Sequence, residues 1–206
     1  MLEIEAKFTV TDQAVFQRLI DCGELGGLQL AKATIVQVSD SYRDTAARDF
    51  LRAGYACRIR HQGSKRVATL KSLGIADGAV HSRRELQVAL TARETPEEWP
   101  DSEARDLALS LGGDRPLTEL FTVRQKRHVR VAHDGSHPAV EISIDAVHFI
   151  TPHRVRDVLE LEAELLPGGS MQHLSGLVGV LQQDWHLEPQ RLSKFEHGLA
   201  ILAEGG

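Results

Sequence analysis

The stretch Met1-Leu-Glu-Ile-Glu-Ala-Lys-Phe8 sets Glu3, Glu5 and Lys7 on one side of an extended chain and Leu2, Ile4, Ala6 and Phe8 on the other, because successive side chains of a strand point to opposite faces. Alone, this is how any strand with one face in water looks. The chain repeats the pattern with both signs of charge. Arg58 and Arg60 share one face of Ala56-Cys-Arg-Ile-Arg-His61, and Glu141 shares a face with Asp145 in Val140-Glu-Ile-Ser-Ile-Asp145. Glu160, Glu162 and Glu164 share one face of Val158-Leu-Glu-Leu-Glu-Ala-Glu-Leu-Leu166. Separate acidic and basic combs on several strands predict a closed sheet with a polar lumen and an apolar exterior covered by helices. A lumen of that kind binds something highly charged.

Composition narrows the partner. With 206 residues and 42% of them hydrophobic, residues 1–206 are read as a single domain with a full core. A formal net charge of −5 lacks the basic excess of a nucleic-acid-binding surface, so any basic site must be local and concentrated. Cys22 and Cys57 have no metal-ligand spacing and are read as buried small hydrophobes. No apolar run approaches the ~20 residues of a membrane span, and the charged start has no signal-peptide core. The expectation is a soluble cytoplasmic protein, monomer or homodimer, that binds neither nucleic acid nor membrane.

Along the chain, Thr11-Asp12 offers an N-cap to a helix that carries Ala14-Val15-Phe16 and Leu19-Ile20 and ends at Gly23 and Gly26-Gly27. Strands are expected at 33–43, 55–61 and 66–72, the last two forming a hairpin around Gln62-Gly63-Ser64. Residues 74–78 read as a loop, 83–90 as a strand, and 102–111 as a helix closed by Gly112-Gly113. Strands at 120–132 and 138–149 turn at Asp134-Gly135. A strand at 155–166 stops at Pro167-Gly-Gly169, and helices at 171–183 and 193–203 follow.

Taken in order, Glu3-x-Glu5-x-Lys7, Asp40-Ser-Tyr42-Arg-Asp44-Thr45, Arg58-x-Arg60, Thr69-Leu-Lys71, Arg83-Arg-Glu85, Glu141 to Asp145, Glu160-x-Glu162-x-Glu164 and Ser193-Lys194 form one constellation. It strongly resembles the CYTH superfamily, the triphosphate tunnel metalloenzymes, over residues 3 to about 200, and within it the bacterial inorganic triphosphatases. The resemblance implies an α+β fold, a closed antiparallel eight-stranded β-barrel with helices packed outside. It implies hydrolysis of tripolyphosphate to pyrophosphate and phosphate in the lumen, with Mg²⁺ or Mn²⁺ as cofactor. Catalytic roles fall to Lys7, Arg58, Arg60, Lys71 and Lys194, and substrate binding also to Arg83, Arg124 and Arg127. Metal ligation falls to Glu3, Glu5, Glu162 and Glu164, with Glu85, Asp145 and Glu160 as further metal ligands.

The physics agrees. Arg and Lys hold a polyphosphate by charge-assisted hydrogen bonds, bidentate for Arg, and a wall of carboxylates would repel that anion unless divalent cations stood between. Three points stay open. Gln87 stands where some relatives have an acid, the register of Glu160, Glu162 and Glu164 is free by one repeat, and alternation groups Arg124 with Lys126 whereas the distance to Asp134-Gly135 favours Arg127, which a bulge would reconcile. A competing view makes Arg58 and Arg60 cross-strand partners of Glu85 or Glu162 that never touch substrate. Tyr42 and Thr45 are read as structural, Trp99 and Trp185 as packing between elements, and His128, His133, His137, His148 and His153 as surface or strand residues without ligand spacing. The alternatives in function are an organic-triphosphate enzyme of the same fold, either a thiamine triphosphatase or an adenylate cyclase of the class IV type, and a non-catalytic polyphosphate- or nucleotide-binding domain. The organic-substrate readings need an aromatic pocket for the organic group, and the sequence shows no obvious cluster to supply it.

Overall fold

The computed structural model describes residues 2–74, 76–91 and 93–204. In chain order it contains β1 (Leu2–Val10), α1 (Gln13–Asp21), β2 (Glu24–Leu25), β3 (Leu28–Leu30), β4 (Thr34–Asp44), α2 (Asp49–Arg52), β5 (Tyr55–Gln62), β6 (Lys65–Ser72) and β7 (Val80–Ala89). After a short 3-10 turn come α3 (Glu103–Gly112), β8 (Thr118–Asp134), β9 (His137–Ile150), β10 (Val155–Leu165), α4 (Met171–Gln183), β11 (Glu188–Pro189) and α5 (Lys194–Ala203).

Eight strands close a ring in the order β8-β4-β5-β6-β7-β1-β10-β9, and β9 pairs back onto β8. Every pairing in the ring is antiparallel. Closure removes the edges that an open sheet of this size would expose. The expected α+β barrel is the observed one. The tight β8–β9 reversal falls at Gly135, whose φ of 57° suits a residue without Cβ.

The helices divide the outer surface. Phe16 and Leu19 of α1 and Leu174, Leu177 and Leu181 of α4 join Phe8, Ile142, Ile144 and Leu161 in one buried cluster outside β1, β9 and β10. Phe50 of α2 and Ala104 and Ala108 of α3 cover Cys57, Ile59, Ala68 and Leu70 on β5 and β6, with Trp99 in the same cluster. Asp12 caps α1 as its position predicts, accepting from the N–H groups of Ala14 (2.6 Å) and Val15 (3.1 Å).

α5 does something else. Its Phe195 and Ile201 pack with Tyr42, Phe121, Val123, Val147 and Phe149. By alternation these strand residues share the inward face with Asp40, Gln125 and Asp145. The barrel is therefore polar along part of its length and apolar at the end that α5 fills.

Several expectations need adjusting. Gly26-Gly27 forms the turn of the small β2–β3 hairpin, and α1 has already stopped with Cys22 as C-cap. Cys57 is buried as expected, but Cys22 is only partly so, its thiol donating to the carbonyl of Leu19 at 3.2 Å. α2 and β11 had no counterpart in the sequence reading. Of the expected loop at 74–78, Ile75 lies outside the described residues. Among the described residues no helix is long and apolar enough to cross a membrane.

Candidate active site: a charged barrel lumen

The inward faces surround a cavity of about 580 Å³. Along β9 the inward series runs from the partly exposed Glu141 through Ser143 to the fully buried Asp145, and then to Val147 and Phe149 of the apolar end. Glu141, Glu164 and Glu3 thus mark one end of the polar lumen and Asp145, Glu160 and Lys194 its depth.

In the depth the charges are closely matched. Lys194 Nζ lies 2.7 Å from Glu162, 3.0 Å from Glu160 and 3.4 Å from Asp145. Arg127 binds Asp145 at 3.0 Å and Glu162 at 2.6 Å, and Lys7 reaches Glu162 at 2.9 Å. Burial pushes the Glu162 carboxyl up, but Lys194, Lys7 and Arg127 outweigh it and hold it well below the usual range. For Asp145 burial wins and the carboxyl is raised.

Along one wall Asp40 organises the arginines. Its fully buried carboxylate accepts a bidentate pair from Arg60 at 2.8 Å each and a bond from Gln125 at 2.9 Å, with Arg58 at 3.6 Å. Burial opposes ionisation there, yet Arg58 and Arg60 bring its pKa to about 2. On β7, Arg83 bonds Glu5 and Glu85 takes Lys71 at 3.0 Å and a bond from Gln87. Burial works against ionisation of Glu85 too, yet Lys71 and Arg58 hold it at about 2. Glu5 is likewise lowered, burial being outweighed by Lys7, Lys71 and Arg83. Among the described residues that line the cavity, Nε of Arg58 and Nε of Arg83 are buried N–H donors without a hydrogen-bond partner. A buried donor without acceptor is costly, and both belong to cavity-lining arginines, so an anion in the lumen would satisfy them.

At the outer end the balance reverses. Burial, then Glu3 and Glu5, push the Glu164 carboxyl up to about 7. Glu3 is raised by burial and Glu5, although Lys71 sits 2.8 Å away. Carboxylates here outnumber the cations beside them. That surplus is the condition under which a divalent cation with oxygen ligands is favoured over further repulsion, so Glu3, Glu5, Glu164 and the neighbouring Glu141 fit one by charge. As placed, no three acidic, His or Cys side chains among the described residues converge into a metal-holding group, and the carboxylates would have to turn toward an ion.

The sequence-predicted residues separate accordingly. Glu3, Glu5, Lys7, Arg58, Arg60, Lys71, Arg83, Glu85, Arg127, Glu162, Glu164 and Lys194 all line the cavity. Asp145 and Glu160 lie beneath it as buried partners of Lys194. Arg124 does not belong: it is exposed on the outer face of β8 and paired in register with His148. Arg127 shares the inward face with Gln125, and the β8 register runs unbroken through 124–127 on both sides, so no bulge is present. All three acids Glu160, Glu162 and Glu164 face inward, which settles their register. Arg58 and Arg60 do pair across strands, chiefly with Asp40. Asp40 was visible in the sequence but assigned no role; it stands directly opposite Arg60 in the β4–β5 register (Asp40↔Arg60), a pairing that no local sequence signal gives. An aromatic group also exists. Tyr42, Phe121 and Phe195 have ring centroids 5.0, 5.6 and 6.1 Å apart, and Tyr42 and Phe195 reach the cavity.

Comparison with known proteins agrees with this geometry. The CYTH domain family matches residues 1–197. A candidate adenylyl cyclase from Hippeastrum, described as having a dominant triphosphatase activity, superposes with a TM-score of 0.69 at 20% identity, covering 98% of this chain and 96% of that one. A candidate adenylate cyclase from Bacillus halodurans gives 0.62 at 20% identity, over 95% of this chain and 96% of that one. One from Vibrio parahaemolyticus gives 0.56 at 15%, over 97% and 98%. At these identities the likeness speaks for the fold, and with the match across nearly its whole length the chain belongs to the CYTH family and carries its triphosphate tunnel.

Proposed function

We propose that this protein hydrolyses inorganic triphosphate to pyrophosphate and phosphate, with Mg²⁺ or Mn²⁺ as cofactor. The observation that carries the reading is the convergence of Lys7, Arg58, Arg60, Lys71, Arg83, Arg127 and Lys194 on one cavity, with unpartnered arginine N–H groups among them. Glu3, Glu5 and Glu164 would hold the cation, which would neutralise phosphate oxygens and polarise water. Arg58, Arg60 and Arg83 orient the phosphates and stabilise charge that grows on the leaving pyrophosphate. Lys7, Arg127 and Lys194 exchange part of their carboxylate contacts for phosphate oxygens. A pure anion-binding domain would gain nothing from the surplus carboxylates, which favours the enzyme.

A second reading has one observation in its favour. Tyr42 and Phe195, with Ala56, Leu73 and Leu86, give the same cavity an apolar wall against which the organic group of thiamine triphosphate or ATP could lie. Phosphate release from tripolyphosphate, ATP, thiamine triphosphate and pyrophosphate, each with Mg²⁺, Mn²⁺ or a chelator, separates the two. The inorganic reading expects tripolyphosphate to be hydrolysed fastest and only with metal. Faster turnover of an organic triphosphate would favour the second, and full hydrolysis in chelator would remove the metal from both.

A further inference from the structure

β1 changes partners at the residue that sends its amine into the lumen. Leu2 to Ala6 pair with β7, whereas Phe8 and Thr9 pair with Pro189 and Glu188 of β11. Lys7 stands at the junction: its N–H donates to the carbonyl of Ala79 at 3.0 Å and its carbonyl accepts from the N–H of Gln190 at 2.9 Å. The segment 188–193 thus fills the gap where β7 turns away, and it leads directly into α5. A two-residue strand that contains a proline, which has no N–H to give, is a weak attachment.

Gln190 supplies the rest. Besides the bond from its N–H, its side-chain amide donates to Thr9 Oγ1 (3.2 Å) and accepts from the N–H of Leu192 (3.0 Å). Its carbonyl oxygen lies 2.9 Å from Nε2 of His81. A carbonyl only accepts, so the imidazole must present Nε2–H, and the bond sets its tautomer. His81 is 3% exposed and stands on the same face of β7 as Arg83 and Glu85. Burial, with Lys7 and Arg83 nearby, pushes its pKa below the usual histidine value. Beyond Gln190, Ser193 closes a capping box with Glu196 and Lys194 is the first helical residue, its amine held by Glu160, Glu162 and Asp145.

We infer that His81 is a positioning residue: by gripping the Gln190 carbonyl it fixes the segment that delivers Lys194 to the lumen. The inference rests on the triphosphate reading only in its binding arm. Nothing about a histidine in Val80-His-Ser-Arg-Arg-Glu85 suggested this in the sequence, because its partner is far away along the chain.

The test compares His81→Leu, His81→Gln and Lys194→Ala, with the Leu and Ala changes also combined. Tripolyphosphate affinity is measured by calorimetry, and acylation of individual lysines by an amine reagent is followed by mass spectrometry. His81→Leu should weaken tripolyphosphate binding by about tenfold, His81→Gln, which keeps an N–H donor, should recover most of that, and in the Lys194→Ala background the Leu change should add less than about twofold, because residues acting as one unit are not additive. Lys194 should be acylated faster in His81→Leu while Lys71 is not. Equal losses in both backgrounds, or unchanged Lys194 acylation in a folded His81→Leu protein, would overturn the inference. If His81→Leu does not fold, His81→Asn, whose shorter amide falls short of the carbonyl, takes its place with the same outcomes. Failure of the wild-type protein to bind tripolyphosphate would count against the proposed function alone, since acylation needs no substrate and still decides the role of His81.

Discussion

Asp40 is the residue on which two cavity-lining arginines depend. It holds Arg60 through two bonds of 2.8 Å and has Arg58 at 3.6 Å, so it orients both without touching the cavity. Removing one partner of a buried charge group leaves the others uncompensated, typically at about 3–5 kcal/mol. Asp40→Asn should therefore lower unfolding stability by an amount of that order, measured by denaturant titration at neutral pH. A loss within experimental error would mean that Arg60 is carried by solvent instead.

Glu164 and Glu85 give the molecule opposite responses to pH. Glu164 titrates at about 7 against an ordinary 4.5, so between those values the folded protein binds more protons than the unfolded one and stability falls as pH rises. Asp40 and Glu85, at about 2, contribute stability that is present above their ordinary values and is lost as pH drops toward 2. In chelator the melting temperature should peak near the ordinary carboxylate range and decline toward neutrality. Added Mg²⁺ should flatten the decline by taking the proton's place at Glu164 and Glu3. A curve unaffected by Mg²⁺ would speak against a cation at that end.

At the scale of elements, α5 is both plug and carrier. A side chain of even one carbon at Gly198 would overlap the ring of Phe121, so only glycine lets the helix seat so close. Gly198→Ala forces helix or ring to move, at a cost of ~1–3 kcal/mol for overpacking a core. Because Lys194 rides on the same helix, tripolyphosphate affinity should fall with stability, whereas a shift of Phe121 alone would reduce stability only. A melting curve and a binding titration on one sample distinguish these.

The barrel strands were legible because the lumen keeps its charges strictly on alternate residues, so the period-2 signal of Glu3-Glu5-Lys7 or Glu160-Glu162-Glu164 survives without any knowledge of pairing. Arg124 and Arg127 were harder. Two basic residues of opposite parity flank one stretch, and only the register against β4 and β9 shows which one faces inward. What long-range packing creates had no local signature. Tyr42, Phe121 and Phe195 meet from three distant segments, and β11 is two residues defined solely by its partner.

At the scale of the whole molecule, one closed sheet keeps two sets of charges apart along a single lumen, cations and their paired acids in the depth and surplus carboxylates at the outer end. We propose that the two sets have separate tasks, phosphate for the first and metal for the second. Calorimetric titration of tripolyphosphate into the wild-type protein, Arg58→Ala and Glu164→Gln, with and without Mg²⁺, tests that division most directly. Arg58→Ala should bind about ten- to a hundredfold more weakly, the roughly 1.5–3 kcal/mol of a lost charged hydrogen bond. Glu164→Gln should bind metal-free tripolyphosphate as well as the wild type or better, since repulsion falls, and should gain less from Mg²⁺. Unchanged affinity in Arg58→Ala together with an unchanged response to Mg²⁺ in Glu164→Gln would contradict it, leaving the combs as structural ion pairs.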